Sequence, residues 1–523
     1  MPSSNIPRFI GALLPSISNL VFVAILFALV FGPGNGLLND GDTGYHIRAG
    51  EIILQTWRVP SQDIFSHHQP PLQWTAHEWL SEVVMALVYK LSGLTGVVLF
   101  FAFLLSLTHW LLFGSLRSRS NNVILVTLIT LLATATSSSH WLARPHVFSF
   151  LFTLGWCHLL DRFQYCNQRT LIFLPLLMVP WVNLHGGYFI GLVLIVVYLL
   201  GNLLHSLGTN RTQALEHWHK AKHLFGLLVV TILACLINPL GYEILLFPGR
   251  LTSDRFIMDH VTEFLSPNFH DVLPFKYMLL ATIAGLALAR HRLNLIEVGL
   301  IVLLSYMALY SARYVSLYAI IVAPLLLKTT ESILTDLPSV VLKFIQKRNQ
   351  LLVNIDTNLR SPLWPIAGIL LVVNLALLNS LQFNFSEKSF PLAAVKFLQR
   401  ENVAGNMFNN DEFGDYIIFA AWPQYRVFMD GRSDMYGEKL GSAYFKVANA
   451  QPGWKEVLKH YNIDWVIFDT NSALTAALRE QTDWQPIYTD KLATIFVRKG
   501  SANDRLLAHF AAVVRGHELK NKS

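Results

Sequence analysis

The sequence predicts an α-helical polytopic membrane protein with about eleven transmembrane helices and a C-terminal extracytoplasmic α/β domain. Three observations carry this reading. Of 523 residues, 53% are hydrophobic and only 14% charged, against about 25% charged in an ordinary soluble domain. Apolar runs of about 20 residues, the length that spans a bilayer, recur as far as residue 381. Beyond residue 382 short β-type runs separated by helical stretches take over.

Backbone groups in lipid must be satisfied within their own segment, so the apolar runs read as helices. They fall at 9–34, 94–113, 122–138, 146–163, 171–185, 187–207, 223–240, 273–290, 294–310, 313–329 and 364–381. The first has no small-residue cleavage site before the polar loop that follows, and reads as an uncleaved span. Segment 78–92 is apolar but short and carries Glu82 and Lys90, which fits a helix lying in the interface.

Basic residues set the orientation. Arg117 and Arg119, Arg162 and Arg169, Arg211 with Lys220 and Lys222, Arg290 and Arg292, and Lys343 with Lys347 and Arg348 occupy alternate loops. Such loops stay in the cytoplasm. The N-terminus is then cytoplasmic, and loops 35–93 and 241–272 and everything after 382 lie outside. The same loops account for the net charge of +7 and a pI of 9.2 without a nucleic-acid partner. Cys157, Cys166 and Cys235 sit in or beside apolar spans, with neither metal spacing nor a disulfide framework.

The chain therefore divides into a membrane domain, 1–381, and an α/β domain, 382–523. Strands are expected at Asn406-Met407-Phe408, Arg426-Val427-Phe428-Met429, Trp465-Val466-Ile467-Phe468 and Ala493-Thr494-Ile495-Phe496-Val497. Helices are expected at Pro391 to Arg400 and Trp454 to Tyr461, and the charged end, 503–523, reads as frayed.

The chemistry collects in loop 35–93. Its polar part opens Asp40-Gly41-Asp42-Thr43-Gly44-Tyr45-His46 and closes near Trp74, His77, Glu78 and Trp79. An isolated Asp-Gly-Asp is ordinarily a turn and a helix cap. Here it precedes an amphipathic helix, Tyr45 to Thr56, that ends before Pro60. A carboxylate on such a platform at the membrane surface can meet a lipid-linked substrate. In the tail, Asp430-Gly431-Arg432-Ser433-Asp434 has the plain reading of a turn with paired charges, and otherwise of an ion-binding loop.

These residues resemble the GT-C class of membrane glycosyltransferases, relatives of aminoarabinose and protein O-mannosyl transferases. The resemblance rests on Asp42, Tyr45-His46, Ala49, Pro60, Pro71-Leu72-Gln73-Trp74 and Leu91-Ser92-Gly93. Large bacterial membrane proteins of this class are similar through Ala143-Arg144-Pro145-His146, Trp181-Val182-Asn183-Leu184-His185-Gly186-Gly187 and Asn238-Pro239-Leu240-Gly241-Tyr242. They also share the tail pattern Phe408-Asn409, Gly414-Asp415-Tyr416 and Asp430 to Asp434. The Asp-Glu usual in the class is here Asp42-Thr43.

The resemblance implies transfer of a sugar from a polyprenyl-phosphate carrier to an extracytoplasmic protein, lipid or glycan acceptor, at a bacterial inner membrane. Asp42 is then the general base, with Asp40 as its alternative or partner, and direct displacement inverts the anomeric centre. The departing phosphate needs cations, and Arg144 and Arg313 are the candidates. Tyr45, His46, Trp74, His77, Glu78, His146, Asn183, His185 and Glu263 complete the expected substrate-binding set. His46, His67, His68, His77, His140, His146, His185, His260 and His270 all fall on or near the outer face. Without His-Glu-x-x-His or similar spacing they read as lining, so no metal or other cofactor is expected. Two further readings stand beside the enzyme: a transporter or flippase of a lipid-linked or anionic solute, and a non-catalytic envelope-glycan assembly protein on the same fold.

Overall fold

The computed structural model describes residues 13–32, 36–166, 168–208, 210–271, 273–290, 293–356, 361 and 363–508. The expected frayed end beyond 508, the start of the first span and Arg292 lie outside these residues. The chain forms two units: one from Met1–Leu37, Ser92–Gly249 and His260–Gln382, the other from Leu38–Leu91, Arg250–Asp259 and Phe383–Ser523.

In the first unit a helix stands over each expected span. These helices start where a side chain can satisfy free backbone N–H groups. Ser16 caps Ile17–Phe31, Asn122 caps Val123–Ser137 and Asn210 caps Arg211–Cys235. Asn294 and Glu297 form a reciprocal capping box at Leu295–Tyr310. By length and composition, four of the described helices can cross a bilayer: Trp79–Arg119, Val123–His140, Gly186–Gly208 and Ala312–Leu334. Five others are apolar but shorter, namely Ile17–Phe31, Phe173–Leu184, Pro274–Leu288, Leu295–Tyr310 and Leu363–Leu377. His146–Cys166 and Arg211–Cys235 carry charged residues within them. Length and composition alone therefore do not give eleven crossings.

The helix Val315–Leu334 is the most enveloped, burying residues on every face from Val315 to Ser332. Close approach comes from small residues, as is common between membrane helices. Gly201 lies against the backbone of Ile296, and Gly285 against Thr329. Buried indoles find acceptors, Trp156 Nε1 on Gly191 O at 3.0 Å and Trp181 Nε1 on Ser149 Oγ at 2.8 Å. Segment 78–92 forms a helix distinct from the expected span at 94–113: non-helical Ser92 and Gly93 break the helical run Trp79–Arg119 into two, and the first unit resumes at Ser92.

The second unit has a sheet of four strands, β1 (Asn406–Asn409), β2 (Ile463–Asp469), β3 (Trp484–Thr489) and β4 (Ala493–Arg498), in the order β1-β2-β4-β3. β1 and β2 are parallel and the other pairs antiparallel. Helices Leu392–Glu401, Asp411–Ala421, Ser433–Ala448, Trp454–His460 and Ala473–Arg479 belong to this unit, and so does Asp42–Thr56 from far upstream. Phe408, Phe428, Tyr444, Phe468 and Phe496 lie at the centre of its apolar core.

Two strand expectations change. Arg426 to Met429 is extended but is not a sheet strand. The Asn409 side chain bonds Phe428 N–H and Met429 C=O, and Val427 pairs with the 65–67 segment instead. β3 was not among the expected strands, and it carries Pro486. Its place at the sheet edge explains why proline is accepted, since an edge strand has an unpaired side.

Candidate functional site

The residues singled out in the sequence fall into two groups, one in each unit. In the second unit, Asp42 opens the helix Asp42–Thr56 and is 6% exposed. Gly41 is the N-cap and offers no side chain, so Asp40 Oδ1 accepts from Asp42 N–H at 2.8 Å. This helix lies close to Asp411–Ala421 because Gly41 and Gly44 present bare backbone there. A Cβ on Gly41 would press on Asp415, and one on Gly44 on Phe419.

That approach brings Asp415 to Asp42. Both carboxylates lie against Gly431: Asp42 Oδ1 and Asp415 Oδ2 are within 3.1 Å of the point where a Cβ would stand. Asp415 Oδ1 accepts from Gly431 N–H at 2.9 Å. Burial, then the neighbouring Asp42 and Asp430 charges and the more distant Asp40, push the Asp415 carboxyl well above the usual range, against the pull of that N–H. Gly431→Ala is expected to force the two acids apart, costing about 1–3 kcal/mol by overpacking. A thermal melt of the purified chain checks this, and an unchanged midpoint would contradict the packing described.

Arg432, 2% exposed, anchors the other side of the turn. Its Nε and Nη2 donate to Asp430 at 2.9 and 2.6 Å, and Nη2 also donates to Asp63 Oδ1 at 2.8 Å. Tyr436 OH donates to Asp430 Oδ2 at 2.7 Å. The guanidinium lies over the rings of Trp74 at 4.7 Å, Phe65 at 4.9 Å and Tyr45 at 5.9 Å. Burial opposes the Arg432 charge, but Asp430 and Asp63 hold its pKa up. Burial also opposes the charge on Asp63, and Arg432 with the local hydrogen bonds holds that carboxyl low. Arg432 Nη1 and Glu82 Oε2 are buried without a hydrogen-bond partner among the described residues.

His46 lies between two acids, 3.4 Å from Glu82 Oε1 and 3.6 Å from Glu78 Oε2, and His77 is 3.6 Å from Glu78 Oε1. His67 and His68 have another role. Their Nε2 atoms meet the backbone carbonyls of Met407 at 2.9 Å and Phe428 at 2.7 Å. Burial lowers the pKa of both, that of His67 to about 4. They fasten the loop after Pro60 to β1 and to the extended segment 426–429. No group of three or more metal-ligating side chains is arranged to hold an ion among the described residues.

The first unit holds the other group. Arg144 forms an ion pair with Glu263, and Arg313 lies over the Phe264 ring at 5.1 Å. Burial works against the Glu263 charge, yet Arg144 and Arg313 hold its pKa at about 2. His146 and His185 approach ring to ring at 6.3 Å. His185 Nδ1 accepts from Gly187 N–H at 2.9 Å, so the Ser149 hydroxyl at 2.8 Å must also donate to it. That leaves the ring proton on Nε2. Asn183 Nδ2 donates to Ile237 O at 2.9 Å, and its Oδ1 accepts from Asn238 at 3.0 Å.

Asp415, Asp63, Glu82 and Arg432 were not among the sequence-derived candidates. Asp415 and Arg432 lie in the tail segments Gly414-Asp415-Tyr416 and Asp430 to Asp434, but nothing local ties either one to Asp42. The available signal was indirect: two acid-bearing Gly-Asp segments, each with glycines at helix-contact positions.

No family model matches the sequence, and no curated protein matches it significantly. Among solved structures the chain is similar to the Archaeoglobus fulgidus oligosaccharyltransferase. The apo form aligns at a TM-score of 0.53 with 10% identity, covering 89% of this chain and 70% of that one. The same archaeal protein, AglB, in complex with an inhibitory peptide and a dolichol-phosphate, aligns at 0.55 with 10% identity, covering 93% and 74%. ArnT from Cupriavidus metallidurans bound to undecaprenyl phosphate aligns at 0.47 with 12% identity, covering 92% and 98%, a score too low to establish a shared fold. The chain thus shares its fold with the archaeal oligosaccharyltransferase.

Proposed function

We propose that this protein is an integral membrane glycosyltransferase. It moves a sugar from a polyprenyl-phosphate-linked donor to an extracytoplasmic protein, lipid or glycan acceptor. The observation that carries this reading is a fold shared with an oligosaccharyltransferase over 93% of the chain. In that fold an acid, Asp42, stands at the start of the helix following the first apolar helix.

In the proposed reaction Asp42 takes the proton from the acceptor nucleophile as it attacks the anomeric carbon. The carbon–oxygen bond to the lipid phosphate breaks in the same displacement, and the configuration inverts. Asp40, through its hydrogen bond to Asp42 N–H, fixes the helix start. Tyr45, His46, Trp74, His77 and Glu78 are the proposed substrate contacts of the second unit. In the first unit Arg144 and Arg313 are the proposed phosphate donors, set by Glu263 and flanked by His146, Asn183 and His185. The proposed setting is a bacterial inner membrane crossed about eleven times, with loop 35–93 and residues 382–523 outside the cytoplasm.

The test reconstitutes the full chain in lipid vesicles loaded with isotopically labelled polyprenyl-phosphate sugars and an envelope extract. Label is expected in a non-lipid or lipid-A-type product with inverted anomeric configuration. Label crossing the bilayer without a new glycosidic bond would point to a transporter. No transfer across the donor panel, from a folded protein, would leave a non-catalytic assembly protein.

A further inference from the structure

The helix Ser339–Asp356 in the first unit takes no part in the candidate site, and its surface divides lengthwise into three stripes. Leu342, Ile345, Asn349 and Val353 recur at helical spacing and are half-buried against the unit. Lys343, Gln346, Lys347 and Gln350 form an exposed polar edge. The third stripe is apolar and equally exposed. Val340 is 78% and Phe344 60% exposed, and Val341, Leu351 and Leu352 continue it. Arg348 lies within this stripe, its guanidinium 5.3 Å from the Phe344 ring centre. Lys343, Lys347 and Arg348 form no ion pair among the described residues, and the one acid of the helix is Asp356 at its end.

Hydrogen bonds at two points fix where this helix lies. Asn349 Oδ1 accepts from Val123 N–H at 2.7 Å, and Asn349 Nδ2 donates to Asn121 O at 3.0 Å. Two turns later Asp356 Oδ1 accepts from Ile17 N–H at 2.8 Å. Val123 and Ile17 are the first residues of two apolar helices. The two anchor points stand about 10 Å apart along the helix, close to the spacing of neighbouring helix axes. The helix therefore runs across the starting ends of both apolar helices. In a membrane-embedded chain that is the level of the lipid headgroups, where a basic amphipathic helix settles with its apolar face down. It is not among the described helices long and apolar enough to cross the bilayer itself.

We propose that helix Ser339–Asp356 is a binding surface for anionic lipid, lying in the headgroup layer with Val340, Phe344 and Leu351 toward the acyl chains and Lys343, Lys347 and Arg348 on lipid phosphates. Charge complementarity selects this occupant. An exposed apolar stripe of this kind needs a cover, and a protein partner could supply one. Three cations without a paired acid, beside and within the same stripe, instead match a layer of phosphates. Long basic side chains reach that layer while their stems stay on the apolar boundary. Through Asn349 and Asp356 the bilayer surface then holds the starts of two apolar helices in place. The inference rests on the membrane setting in the proposed function and not on sugar transfer.

The experiment attaches a nitroxide spin label to Phe344→Cys, Leu351→Cys or Gln350→Cys in the full chain, with Cys157, Cys166 and Cys235 replaced by serine. Each protein is reconstituted in vesicles of phosphatidylcholine alone and of phosphatidylcholine with phosphatidylglycerol. Label access to oxygen and to a water-soluble nickel chelate is then measured. At 344 and 351 chelate access is expected to be several-fold lower than at 350, with oxygen access several-fold higher. Phosphatidylglycerol is expected to move the 344 and 351 labels deeper. Lys343→Gln, Lys347→Gln and Arg348→Gln in the same chain should abolish that lipid dependence. Chelate access at 344 and 351 equal to that at 350 overturns the proposal. So does a label depth indifferent to phosphatidylglycerol. Shielding from both oxygen and chelate marks a protein on the stripe, with spin–spin broadening if it is a second copy, and also overturns it. A chain that shows the lipid-facing labels but transfers no sugar would count against the transferase reading alone.

Discussion

Asp42→Asn is expected to lower glycosyl transfer about 10²–10⁴-fold, the range lost when a positioned general base is removed. Asn keeps the volume and both heavy atoms of the carboxyl end, so it still fits against Gly431 and preserves the start of helix Asp42–Thr56. It cannot take a proton. The loss should therefore appear in kcat, with little change in KM for the lipid donor. The same substitution at Asp40 should cost less, because Asp40 acts through a hydrogen bond to the Asp42 backbone. Initial-rate assays on matched amounts of folded protein check both. Transfer by Asp42→Asn within a few-fold of wild type would remove Asp42 from the mechanism.

Arg432→Met is expected to destabilise the chain by about 3–5 kcal/mol, the cost of leaving buried charges without their partner. Methionine matches much of the length and the contacts with Trp74 and Phe65, so lost packing does not dominate. What remains is Asp430 and Asp63, 1% and 6% exposed, facing each other's charge with no cation between them. Adding Asp63→Asn in the same chain should recover part of the loss by deleting one orphaned charge. Chemical or thermal unfolding of the three proteins measures it. A single variant as stable as wild type would mean the guanidinium does not hold this turn.

The fold was largely legible where the signal is local. Apolar runs marked a helix at each expected span because lipid and core both demand a satisfied backbone, whereas the polar-faced helix Ser339–Asp356 was marked by none. β1, β2 and β4 were legible through their apolar runs. Arg426 to Met429 misled because extended backbone can be completed by a side chain, here Asn409, as well as by a neighbouring strand. β3 was not among the expected strands, and it carries Pro486, a residue that forbids a central strand but not an edge.

The site was legible only in part. The acid-rich stretch after the first apolar helix stands out by composition. Its partners do not, because Asp415 and Arg432 belong to a different stretch of sequence and look there like an ordinary helix residue and an ordinary turn. The Asp63–Arg432 hydrogen bond joins residues 369 apart. No periodicity or motif spacing reports a contact of that separation.

The interleaved second unit has a consequence for biogenesis. Residues 38–91 leave the ribosome early, yet the helix and turn that surround Asp42 are made only after residue 411. Domains generally fold as units, N-terminal parts first. Here the early segment must wait, through the synthesis of more than half the chain, before its buried acids gain the neighbours that accommodate them. A chain interrupted anywhere before the Asp430 turn carries Asp42 without its fitted surroundings. Assembly around Asp42 is in this way tied to completion of synthesis, and a ribosome stalled among the apolar helices of the first unit leaves that assembly unbuilt.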